Sequence, residues 1–234
     1  MDTQTRHALK GDKFAQATKT SVTWLTGHRA SVVRWTIAIS AVVVLGLGAL
    51  LVWNIRSSAA EAALGTALDT YTAQLAEPGA PPVPGTYATS AERAKAANKL
   101  FLSVADKYGW LAAGAKAHYF AGVTYEDMGQ NGPAESELKK AESAGNRNLS
   151  NLAKLALAGL YRQTGREAQA IAEYEAIVAK PSVTVPASVA QLDLADLYAA
   201  NGKQDQARAL WAKVKDADKD GAAGSIATQK LAGQ

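Results

Sequence analysis

Cysteine is absent from the 234 residues of this chain. That excludes disulfide bonds, a thiol nucleophile and a lipidated cysteine anchor. Histidine is scarce, and His7, His28 and His118 are scattered with no metal-ligand spacing among them. No glycine-rich phosphate loop occurs either. The raw material for catalysis is therefore thin, and neither an enzyme, a cofactor nor a metal site is expected. Nucleic acid is also an unexpected partner, because the formal net charge of +4 gathers at one end and leaves no basic stripe along the rest.

What the second half does contain is one spaced pattern, small-x-x-Tyr-x-x-x-Gly-x-x-x-x-Ala-x-x-x-large, three times over. The copies are Gly122, Tyr125, Gly129, Ala134, Leu138; Ala158, Tyr161, Gly165, Ala170, Tyr174; and Ala195, Tyr198, Gly202, Ala207, Trp211, offset by 36 and 37 residues. With 8 Tyr and 19 Gly in the chain, chance places Gly four residues after Tyr less than once; here it happens three times, evenly spaced. Such a period predicts stacked helix pairs. Each glycine closes the turn between two antiparallel helices by taking the left-handed conformation. The small residues let the paired helices approach, and Tyr with the final large residue fills the seam between repeats.

The pattern resembles the tetratricopeptide repeat over roughly residues 112–215, where the family has its small residue, aromatic, turn glycine and second-helix alanine at this spacing. Two departures stand out: the expected tryptophan is His118, Lys154 and Gln191 here, and the closing proline is absent or displaced, as at Pro181. His118, at a seam position, reads as a packed imidazole rather than a base. The expected fold class is all-α: a single N-terminal transmembrane helix followed by a tetratricopeptide-like α-solenoid of about four helix pairs.

The span rests on residues 35–53, WTIAISAVVVLGLGALLVW, which carry no charge and place Trp35 and Trp53 at the two ends. That length crosses most of a hydrocarbon core of about 30 Å, with the tryptophans as interfacial anchors. Residues 1–34 hold six Lys or Arg against two acids, whereas residues 57–234 hold 18 against 19. The positive-inside bias then keeps the basic arm, 1–34, in the cytoplasm and puts the repeats across the membrane. Ala60-Glu61-Ala62 looks like a cleavage site, but the long apolar run, Arg56 and the 34 preceding residues favour an uncleaved signal anchor over 35–55.

In the arm, residues 12–25 set Phe14, Ala17, Ser21, Trp24 and Leu25 near one helical face, with Lys13 and Lys19 elsewhere. Two readings stay open there: a short helix on anionic lipid, or a solvated tail. Beyond the span, residues 56–111 form an atypical first pair. A helix over 58–76 carries Leu64, Leu68, Tyr71 and Leu75 on one stripe, a proline-rich insertion at 77–85 interrupts it, and a second helix over 91–107 repeats the spacing at Ala97 and Phe101. Three repeats occupy 112–220, and 221–234 is a C-terminal cap with a short helix over 225–231.

Asp216-x-Asp218-x-Asp220-Gly221 matches the opening of a calcium loop, but the bidentate Glu needed to close it would be residue 227, which is Ala227. A solvated helix end is expected instead. Partner binding is assigned to the concave face lined by the first helix of each repeat: Tyr119, Val123 and Glu126, then Leu155 and Arg162, then Leu192 and Asp196. This face lacks the Lys and Asn clusters that grip a C-terminal carboxylate.

The whole layout resembles the YfgM-like family of tetratricopeptide proteins, ancillary subunits of the bacterial Sec translocon. The resemblance implies a single-pass inner-membrane protein with periplasmic repeats, beside the translocon and a membrane-anchored folding helper, assisting exported proteins. A tethered scaffold for pilus, outer-membrane or division machinery shares every one of these features, so both readings stand at this point.

Overall fold

The computed structural model describes residues 29–77 and 84–233. The expected amphipathic stretch at 12–25 and most of the proline-rich insertion lie outside the described residues. Those described form nine helices: α1 (Arg29–Tyr71), α2 (Ser90–Tyr108), α3 (Ala112–Asp127), α4 (Asn131–Glu142), α5 (Arg147–Gln163), α6 (Glu167–Ala179), α7 (Ala187–Ala200), α8 (Gln204–Ala217) and α9 (Ala222–Ala232). They contain no strand beyond one isolated bridge. The chain divides into two compact units, Met1–Ile55 and Arg56–Gln234.

In the first unit α1 is apolar on every side. Its most hydrophobic window has a mean hydropathy of 2.4 and none of it is buried; Trp35, Val42 and Leu45 are 70%, 69% and 72% exposed. This is one helix long and apolar enough to cross a membrane.

The second unit begins inside the same helix. No glycine or proline falls between residues 49 and 64, and α1 continues without a break to Tyr71. The separate helix expected over 58–76 is therefore the end of α1, and it stops five residues early. Thr70 and Thr72 turn their hydroxyls back onto the carbonyls of Thr66 and Leu68, a contact that competes with regular helix propagation. Leu75 then pairs with Tyr87 in a parallel bridge and is exposed rather than on the buried stripe. The bridge joins the two ends of the insertion, helped by Arg93, which donates to the Ala73 carbonyl at 3.0 Å. Ala60, Leu64 and Ala67, spaced four and three apart, bury against Ala97, Phe101, Val104, Ala117 and Ala121 of α2 and α3. The amide of Asn98, itself buried, donates to the Ala121 carbonyl and the Thr124 hydroxyl at 3.1 and 2.9 Å, so this core contains a satisfied polar pin. Thr89 starts α2 by accepting from the Glu92 amide, with Glu92 three residues on as in a capping box.

The repeat pattern maps onto three helix pairs, α3/α4, α5/α6 and α7/α8. Gly129, Gly165 and Gly202 have φ of 69°, 70° and 72°. After each, the next amide donates back across the turn to the repeat tyrosine's carbonyl: Gln130 to Tyr125, Arg166 to Tyr161 and Lys203 to Tyr198, at 2.8, 2.7 and 2.9 Å. Each glycine amide meanwhile bonds the residue after its tyrosine. This double closure fixes the interval between Tyr and Gly. Ala134, Ala170, Ala207, Leu138, Tyr174 and Trp211 are all buried, as are Ala158 and Ala195. A Cβ placed on Gly122 would lie 2.6 Å from Leu138 Cγ, which is why the smallest residue stands there. Only the middle tyrosine, Tyr161, is fully buried; Tyr125 and Tyr198 are half-exposed.

Successive helices pack pairwise from α2 to α9, and α3 also meets α5 as α7 meets α9. This is a tetratricopeptide-like solenoid. The cap helix α9 is longer than the expected 225–231. Asp218 sets its start, accepting from the amides of Ala223 and Gly224 at 3.1 and 3.3 Å. The middle carboxylate of the calcium-like motif is thus taken up at the start of a helix.

Candidate protein-binding face

The seven residues assigned to the concave face fall on the first helices of the three pairs: α3, α5 and α7. Six are half-buried and Arg162 is exposed. Tyr119 and Leu155 pack on the central core built around Leu138, Leu157, Tyr161 and Tyr174, and Leu192 packs on the last core beside Trp211. Part of each side chain therefore supports the fold, and the rest is presented to solvent.

The seven form two groups. Toward α7, Arg162 reaches the Tyr174 hydroxyl at 3.5 Å and lies within the field of Asp193 and Asp196. That hydrogen bond first, then the acids, hold the guanidinium more firmly protonated. Burial pushes the Asp193 carboxyl up despite Arg162. Lys230 of α9 binds Asp196 at 2.8 Å, while the other Asp196 oxygen is buried without a partner. Toward α2, Tyr119 stacks edge-on against Phe120 with centroids 5.2 Å apart. Burial, reinforced by the Asp127 charge, raises Glu126 to about 7. The Tyr71 hydroxyl donates to Asp127 at 2.9 Å, tying the end of α1 to the end of α3. Among the described residues, no hydrogen bond or ion pair joins the Tyr119–Glu126 group to the Arg162–Asp196 group.

Sequence reading missed Asp193 and Lys230. Asp193 stands three residues before Asp196 on α7, an interval that puts both on one face, whereas Lys230 reaches the face only because the cap folds back. Of the three positions where the family carries tryptophan, one is the buried Gln191 and the other two hold side chains paired with a carboxylate of α4. His118 Nδ1 lies 2.6 Å from Glu137 Oε2, and Lys154 pairs with Glu142. Burial alone would raise the Glu137 carboxyl, but hydrogen bonds from His118 and Lys140 outweigh it and hold it below its usual range. His118 is thus a paired side chain rather than a simply packed one. A further hub, Glu135, accepts from Lys139, Arg166 and Tyr161 at 2.7, 2.7 and 3.1 Å and is pulled down to about 2. It locks the first repeat to the second, with Arg166 lying 4.5 Å over the Tyr161 ring. Among the described residues, no three His, Cys, Asp or Glu side chains are grouped to hold a metal.

Repeated helix pairs, turn glycines and a half-buried inner face define a helical-repeat protein of the interaction type. Residues 33–233 match the family described as Tetratricopeptide repeat-like domain. The chain belongs to that family, whose repeats are typically protein-interaction modules rather than catalysts. No curated protein matches the chain's sequence.

Proposed function

We propose that this chain is a membrane-anchored, chaperone-like protein-binding adaptor of the bacterial inner membrane. It crosses the membrane once, keeps its basic N-terminal arm in the cytoplasm against lipid, and works in the periplasm beside the Sec translocon on newly exported proteins. The observation that carries this reading is the continuity of α1: one helix holds both the fully exposed apolar stretch and the first packing face of an interaction array. A tether of that kind raises the effective concentration of the array at a membrane complex, so weak contacts on its inner face suffice. Orientation follows from the Lys and Arg ahead of residue 35, and the translocon from the YfgM-like layout.

Co-purification from detergent-solubilised membranes tests the assignment. Translocon subunits and a membrane-anchored folding helper should accompany the full chain. Recovery of pilus, outer-membrane or division components in their place would replace this reading with that of an envelope scaffold.

A further inference from the structure

The connections that lead from one helix pair to the next carry a second surface, which meets the inner face at Tyr119. Among the described residues of the array, the two most exposed large apolar side chains are Trp110, at 59%, and Val183, at 91%. Trp110 lies in the α2–α3 turn and Val183 in the α6–α7 loop. That loop is not loosely held. Val185 is buried in the core, the Ser182 hydroxyl accepts from the Val185 amide at 3.1 Å, and Thr184 donates to the Asn148 carbonyl at 2.9 Å. Val183 is thus held outward by an ordered turn.

Three concavities follow one another along this edge. The first, of about 520 Å³, lies between Trp110, Tyr119, Phe120, Leu149 and Leu152. It shares Asn148 with a second, under Val183, and that one shares Arg147 with a third, which reaches Lys154 and Lys180. The lining is apolar at the Trp110 end and cationic at the other. Four cations, Lys116, Arg147, Lys154 and Lys180, face one acid, Glu142. Lys116 is paired with Glu61 and Lys154 with Glu142. Arg147 and Lys180 form no ion pair among the described residues, and Arg147 opens α5 with no acid in that turn, where the helix's positive end adds to its charge.

We infer that this edge docks an extended acidic segment of a partner protein. The partner's large apolar side chain fills the groove beside Trp110, and its carboxylates meet Arg147 and Lys180. A concavity of about 520 Å³ suits an inserted side chain rather than a flat lipid surface, and the unpaired cations set the sign of the partner. The inference rests on the reading of the array as a protein-binding module and names a second place and a chemistry for it.

The test uses the full chain in phosphatidylcholine nanodiscs and a fluorescein-labelled short peptide in which Glu alternates with Leu and Trp. Its counterpart, with Lys for every Glu, is the control. Fluorescence anisotropy should show saturable binding of the acidic peptide, weakened by salt. Arg147→Glu with Lys180→Glu should weaken it by roughly tenfold or more, and Trp110→Ala by a similar factor. Circular dichroism checks that the variants keep their helices, and Arg147→Gln with Lys180→Gln should give an intermediate loss if charge is what acts. Lack of saturable binding, equal binding of the basic peptide, or affinity unchanged in both sets of variants overturns the proposal. So does a photoreactive residue at Val183 that labels phosphatidylglycerol in mixed nanodiscs equally with and without peptide. If the edge fails while Leu192, which lines none of these concavities, still crosslinks to protein in cells, only this inference falls and the adaptor reading stands.

Discussion

Leu138 of α4 packs directly over Gly122 of α3 in the first repeat, and their pairing gives a change of sign that can be measured. Gly122 does not have positive φ, so alanine fits its backbone and would gain about 1 kcal/mol of helix propensity. Its methyl, however, would sit 2.6 Å from Leu138 Cγ, 2.8 Å from Cδ2 and 3.2 Å from the Ala134 carbonyl, and Leu138 is fully buried with nowhere to retreat. Overpacking of that kind costs about 1 to 3 kcal/mol, so Gly122→Ala alone is net destabilising. Leu138→Ala alone removes a buried side chain at about 2 to 5 kcal/mol. In that background only the 3.2 Å approach to the Ala134 carbonyl remains and the new methyl enters the space left behind, so Gly122→Ala becomes stabilising by up to about 1 kcal/mol. The coupling between the two sites is therefore on the order of 2 kcal/mol. Urea and thermal unfolding of the Arg56–Gln234 unit would read it, at roughly 2 to 4 °C per kcal/mol for a unit of this size. A Gly122→Ala substitution that destabilises equally in both backgrounds would refute the close-contact register.

Acidity provides a second pair of opposite effects. Glu126 is raised from 4.5 to about 7 by burial, so the folded state holds its proton longer; stability falls as pH rises from about 4.5 to 7, and Glu126→Gln should raise the melting temperature at pH 8 while leaving it unchanged at pH 4. Glu135, lowered to about 2, contributes stability that is present above pH 4.5 and lost as pH falls toward 2, so Glu135→Gln should matter at neutral pH and not at the acid end. Asp218→Ala removes the acceptor of two α9 amides and should cost about 1 kcal/mol, with faster hydrogen exchange confined to α9. Millimolar calcium should leave the melting temperature of the wild-type unit unmoved, and a rise abolished by Asp216→Ala with Asp218→Ala would reinstate the calcium loop. Single cysteines at Gln16 and Gln204 should react with an impermeant thiol reagent from opposite sides of the membrane, and equal labelling in intact spheroplasts would contradict the topology.

The repeat phase was readable because one interval is dictated by the backbone. The amide after each turn glycine must find the tyrosine's carbonyl, so the separation of Tyr and Gly cannot drift even where the rest of the repeat does. The buried alanines and large residues followed from the same register. The continuity of α1 was harder to read. A change from all-round apolar to amphipathic composition looks like a boundary, yet with no breaker near residue 55 the backbone has no reason to stop. The early end at Tyr71 depends on a bridge to Tyr87, a partner on the far side of the insertion. That Tyr119, Val123 and Glu126 share one helix was legible from helical spacing alone. The electrostatics of the candidate face were not, because Lys230 arrives from the cap, and His118 and Lys154 take partners from other helices in place of a tryptophan's bulk.

The central claim is that the inner face of α3, α5 and α7 binds proteins at a membrane complex, and site-specific photo-crosslinking in cells tests it most directly. A photoreactive residue at Tyr119 or Leu192 should capture translocon subunits, a membrane-anchored folding helper or emerging secreted chains well above one at Gln204, which is exposed at the start of α8. Capture no stronger than at Gln204, or confined to pilus or division proteins, would contradict it.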